Sequence, residues 1–250
     1  MSDKLIPARP NDACTGSVFA NNNLNNKITE REKNILQECL NGNIPNFLRK
    51  LVPVTVTQNN NSITYLVMPD YLAIGSDEDY LRIPMNPHTA QAIADKYDCT
   101  LPTKKMVNDI WKQSTNQVAP LPWGPPYDAS MMSTNRYVIH NSRIQKQLEN
   151  KDFTALTSGQ KKDVILTNQL APNNPKKRVA IYGWIQPNGQ PIQVHPSAHE
   201  DTYADYSHGI RLVANDVMVN GNATTIQKVF ADSTLCSLVT DEGVLSFTRY

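Results

Sequence analysis

The chain has almost no net charge, no long apolar run and no paired-cysteine motif, and each absence removes a class of function. Its 24 Lys and Arg balance 23 Asp and Glu to a formal net charge of +1. A general nucleic-acid binder carries a basic excess or stripe that neutralises phosphates, so nucleic acid is not an expected partner. No stretch reaches the roughly 18 consecutive apolar residues that cross a bilayer, so no membrane is expected either. The first residues lack the apolar core of a secretion signal. Cys14, Cys39, Cys99 and Cys236 form no C-x-x-C pair, which argues against a zinc knuckle or a thioredoxin-type redox motif. There is no G-x-S-x-G segment, hence no serine nucleophile elbow, and no internal repeat. The apolar fraction, 40%, and the charged fraction, 19%, are both modest. At 250 residues the chain is still long enough to bury a real core.

What is present reads as an α+β chain. Residues 1–28, with Pro7, Pro10, Gly16 and an Asn-rich tract, show no apolar period and are expected to form an irregular arm. Thr29 and Glu32 have the spacing of a capping box, which predicts a helix running through Ile35 and Leu40. Residues 53–57 and 63–68 alternate as the two strands of a hairpin. Asn86 followed by Pro87 opens one helix, and Thr103 caps another. A further helix is expected over 142–148. The last third carries the strand signals: 162–167, 178–184, 191–194, 209–213 and 216–219, with a hairpin turn at Pro187, Asn188 and Gly189. The expectation is a mixed, mainly antiparallel sheet with helices packed on it and strands concentrated in the C-terminal third. No charge-rich or Gly/Ser linker divides residues 29–250, so they are expected to form a single domain. A Pro-rich connection at 117–135, carrying Trp123 and Tyr127, is expected to wall a cleft.

Three of the five histidines, His195, His199 and His208, fall in one segment with Glu200, Asp201, Tyr203, Asp205 and Tyr206. Imidazoles beside carboxylates are the usual hardware of proton transfer and of metal sites. The segment lies between two expected strands, a common setting for working residues. In the acid/base reading, His208 is the general base, Asp205 orients it, and Tyr206 or Tyr203 donates a proton or holds an oxyanion. Arg211, two residues further along a strand, shares the face of His208 by β alternation and would neutralise a substrate carboxylate. His199, Trp123 and Tyr127 complete the expected substrate contacts. The metal reading places zinc on His195, His199 and Asp201. Pro196 breaks the helical spacing of a zincin motif, and Tyr203 stands where its second histidine belongs. No cofactor is therefore expected, with zinc as the alternative.

Cys99 is the candidate nucleophile, because a cysteine close to a helix N-terminus has its thiolate favoured. The patches Asp98-Cys99-Thr100 and Ser207-His208-Gly209-Ile210 resemble the Asp-Cys-Ser and Ser-His-Val-Gly-Ile patches of papain-like cell-wall peptidases. That resemblance spans only these two patches and implies a Cys99–His208 pair. Leu101 and Pro102 depart from it, since the family pattern runs from the cysteine straight into a helix. The resulting expectation is a hydrolase of a polar polymer or peptide-like amide, with a lyase as a variant. The alternatives are a glycan- or protein-binding module without catalysis, and a metal-dependent hydrolase.

Overall fold

The computed structural model describes residues 6–194 and 199–250. The architecture is α+β: six α-helices pack around mainly antiparallel sheets. The larger sheet is built on the hairpin of β1 (Val52–Gln58) and β2 (Asn61–Val67), whose alternation buries Val54, Val56, Ile63, Tyr65 and Val67. It continues through β14 (Val213–Val219) to β15 (Asn222–Thr225), and β5 (Cys99–Thr100) also pairs with β14. The second sheet has the order β11 (Pro191–Gln193), β10 (Ile181–Ile185), β8 (Lys162–Val164), β13 (His208–Gly209). Its last pairing, β13 on β8, is parallel. Short ladders join β3 (Ala73–Gly75) to β4 (Tyr80–Arg82), β6 (Asn116–Gln117) to β7 (Thr157–Ser158), and β9 (Arg178–Val179) to β12 (His199–Glu200).

Local chemistry sets several helix starts. In α3 (Pro87–Lys96) the Asn86 side chain accepts from Thr89 N, with Pro87 in the first turn. In α4 (Lys104–Gln113) the Thr103 hydroxyl accepts from Met106 N. In α2 (Ile28–Leu40) the expected capping box is not made. Lys27 is the N-cap, and Glu32 instead accepts from the backbone N of Asn86, so a tertiary contact has taken the capping carboxylate. The arm expected to be irregular contains α1 (Gly16–Asn22), capped by Thr15, with Phe19 and Ala20 buried. Gly16 is required there, since a Cβ would lie 2.6 Å from the backbone of Tyr80 and Leu81. Helix α5 (Thr134–Leu148) starts two turns before its expected position, capped by Ser133. The chain closes with α6 (Ile226–Ala231).

One hydrophobic cluster runs from Ile6 to Phe247. Between β13 and β14 the chain crosses from one sheet to the other. Along this crossing, Leu72 N donates to Ile210 O at 2.7 Å and Met68 N to Leu212 O at 3.0 Å. The single strand expected at 209–213 is thereby divided: His208 belongs to one sheet, and Val213 to the other.

Candidate functional site

The parallel register of β13 on β8 sets His208 beside Lys162, and Gly209 beside Asp163. Gly209 has to be glycine, because a Cβ there would lie 2.5 Å from the Tyr71 ring and 2.8 Å from Lys161 Cβ. That close approach draws β13 down onto a polar interior. Arg82 pairs with Asp70 at 2.5 Å, Tyr71 donates to Asp163 at 2.7 Å, and Lys161 Nζ donates to the Tyr206 carbonyl at 2.6 Å. Burial lowers the Lys161 ammonium to about 7 and raises the Asp163 carboxyl to about 6.

His208 is completely buried, and neither ring nitrogen has a hydrogen-bond partner among the described residues. Burial lowers its pKa to about 4, against the opposing pull of Asp205. The imidazole is therefore neutral at pH 7. Asp205 does not bond to the His208 ring. Its carboxylate accepts from Tyr203 OH at 3.0 Å, from Ser207 N at 2.8 Å and from Ser207 Oγ at 2.5 Å. Burial would raise its pKa, but His208, charged only once the pH falls to about 4, the Lys162 ammonium and the bonds from Ser207 outweigh that and hold it at about 2. The expected orienting bond is absent because the short turn at 205–208 points the carboxylate back onto Ser207. His208 and Asp205 are joined through the backbone instead, His208 N to Asp205 O at 3.1 Å.

Above this lies an open cleft of about 610 Å³ lined by Ile28, Thr29, Met132, Arg178, His199, Glu200, Thr202 and Tyr203. His199 stacks on Tyr203 with ring centroids 4.0 Å apart. Tyr203 in turn meets His208 edge-on at 5.7 Å. The cleft is thus separated from the buried imidazole by one aromatic ring. Burial raises the Tyr203 pKa, reinforced by Asp205, and the phenol stays protonated.

The other expected residues fall in three places. Tyr206 forms a wall: its hydroxyl accepts from Trp123 N at 2.7 Å, and its ring meets Trp123, Trp184 and His140 at 5.9, 6.1 and 4.9 Å. Trp123 sits beneath Arg136, 3.9 Å from its ring centre, while Tyr127 is 76% exposed. Arg211 points away from the cleft into the interior. It donates to Met68 O at 2.8 Å and Thr157 O at 2.6 Å, over the Tyr71 ring. Alternation placed it beside His208 only if the strand was regular, and the crossing between sheets breaks that regularity. Cys99 lies in the larger sheet. Its thiol donates to Tyr97 O, and burial pushes it up to about 12. None of its contacts involves His208, so the pair implied by the peptidase resemblance is not assembled.

Of the zinc alternative, His195 lies outside the described residues. Asp201 pairs with His88 Nε2 at 2.8 Å, and His199 is stacked on Tyr203. No group of three or more His, Cys, Asp or Glu among the described residues is placed to hold a metal ion.

Read from the sequence alone, Lys161 and Lys162 are a basic pair of solvated loop charge, and His140 is a residue that caps a helix or reaches the cleft; the structure buries Lys161 and His140. His140 is fully buried on α5, with neither ring nitrogen partnered among the described residues, and burial and the nearby cations lower its pKa to about 2. The signal available for the lysines was two adjacent cations opening an expected strand. No helix among the described residues is long and apolar enough to cross a membrane. No protein family, curated protein or solved structure matches this chain.

Proposed function

We propose that the protein is a hydrolase acting on a peptide-like amide or polar polymer by acid/base chemistry at His208, without a cysteine nucleophile. The observation that carries this reading is a neutral imidazole with no partner at either nitrogen among the described residues, one ring below an open cleft. Unpartnered buried polar groups are uncommon and costly, and strongly shifted pKa values cluster at functional sites. In the reaction, the His199–Tyr203 stack turns aside. His208 takes a proton from a water molecule as the oxygen bonds to the substrate carbonyl carbon, and returns that proton to the leaving nitrogen or oxygen as its bond to carbon breaks. Asp205 stays ionised and favours the transient imidazolium by charge, without touching the ring. Tyr203 keeps its proton on Asp205 and guards the entrance.

The test is a survey of peptidoglycan, chitin, polyuronic acid and peptide anilides, reading free amines and reducing ends, followed by a pH profile of kcat/KM on whichever is cleaved. The expected acid limb has its midpoint near 4, where His208 becomes protonated. No product from any of them, or a limb near the ordinary histidine value of about 6.5, overturns the reading. A glycan- or protein-binding module is the second reading, favoured by the exposed Tyr127 beside Trp123 and Arg136. It is the one that remains if no bond is cleaved.

A further inference from the structure

His208 and Lys162 are lateral partners in neighbouring parallel strands, so their side chains leave the same face of the sheet. Lys161, immediately before, is turned inward and bonded to the Tyr206 carbonyl. Lys162 is different. It is half-buried, its Nζ lies 4.7 Å from the centre of the Trp184 ring, and it makes no ion pair or hydrogen bond among the described residues. The nearest strong anion, Asp205, is committed to Tyr203 and Ser207. Trp184 holds the stem and presents the ammonium. It takes φ 57°, a left-handed value that non-glycine residues seldom adopt, and follows Gly183 at φ 111°. Its indole N–H is fixed on Gln160 O at 3.1 Å. The strained pair Gly183–Trp184 thus fixes the platform for a lysine whose acidic neighbour, Asp205, acts on it by charge but bonds to Tyr203 and Ser207. Both Lys162 and Arg178 bear electrostatically on His199, which lines the cleft. Lys162 and Lys161 also bear on His208 itself, against the opposing charge of Asp205.

We propose that Lys162 binds a carboxylate of the substrate next to His208, so that the site takes anionic amides in preference to neutral ones. This rests on the hydrolase reading for the word substrate, but the carboxylate site itself does not. The same ammonium, drawn to the developing oxyanion or carboxylate, would replace the role that Arg211 cannot fill from the interior.

The experiment uses the whole chain and two probes of nearly equal shape, N-acetylglycine and the neutral N-acetylglycinamide. The ring resonances of His208 are followed by proton–nitrogen NMR as each probe is added. N-acetylglycine should shift them saturably, with the neutral amide at least about tenfold weaker, as expected for a charge-assisted contact. Lys162→Met keeps the stem on Trp184 and should abolish the response, while Lys162→Arg retains it. The same spectra show whether each variant is folded. Equal response to the two probes, an undiminished response in folded Lys162→Met, or no response at all, overturns the proposal. Hydrolysis of neutral and anionic amides at the same rate sinks the carboxylate site and leaves the hydrolase. Carboxylate binding with no hydrolysis of any polymer does the reverse.

Discussion

Tyr203 joins two groups that do not touch each other through their side chains: its hydroxyl donates to Asp205 at 3.0 Å, and its ring meets the edge of His208 at 5.7 Å. The phenol O–H is therefore directed at a carboxylate, and the imidazole below it has no hydrogen-bond partner at either nitrogen among the described residues. This arrangement differs from a triad, in which the carboxylate would orient the base directly. Asp205 acts on His208 through charge alone.

Acid should weaken the fold in two separate windows. His208 and His140 have folded pKa values of about 4 and about 2, below the ordinary histidine value. The unfolded chain therefore binds protons first as the pH falls, and stability begins to drop below about 6.5. At pH 5.5 each histidine should cost about 1 kcal/mol. Asp205, depressed to about 2, adds stability above its unfolded pKa that is lost only as the pH falls from about 4 towards 2. Urea unfolding at pH 7.0 and 5.5 measures the first window. Asp163, raised to about 6, is protonated in the folded state within the same window and offsets part of the loss. His140→Leu should remove about 1 kcal/mol of the histidine contribution, and an unchanged slope would show that His140 is solvated.

Gly209→Ala should destabilise the protein by about 2–3 kcal/mol, because the added methyl meets Tyr71 and Lys161 within 2.8 Å. Denaturant unfolding gives the value. Because β13 carries His208, the variant should also lose activity beyond what the unfolded fraction explains. A loss of under about 0.5 kcal/mol would mean that the strand is not drawn down as described.

Cys99→Ala should leave activity unchanged and cost about 1–2 kcal/mol from the small buried void. Its thiol, pushed up to about 12 by burial, should not react with an aromatic disulfide reagent at pH 8 in the native protein. Rapid labelling of Cys99 together with loss of activity would restore the cysteine scheme.

Local chemistry was legible in the sequence. The hairpin of β1 and β2, the Asn86 and Thr103 caps, the turn at Gly189 and the α+β class all follow from residues close in the chain. Long-range pairing was not. The capping carboxylate of Glu32 was taken by Asn86, and the strand expected at 209–213 was split between two sheets. Within the histidine segment, Tyr203 bonds to Asp205 and meets the edge of the His208 ring. Those connections were not legible, because a turn of four residues can direct a carboxylate to Ser207 or to an imidazole with equal ease. Lys162 and His140 reach the site only through the β8–β13 register and the packing of α5, neither of which leaves a periodic trace. Arg211 was drawn inward by two backbone carbonyls that no local pattern announces.

The most direct measurement pairs activity and stability in His208→Asn. Removal of a general base should lower kcat/KM on the order of 100-fold or more. The unfolding midpoint should change little, since one unpartnered buried polar group replaces another. A folded His208→Asn protein with full activity would contradict the account.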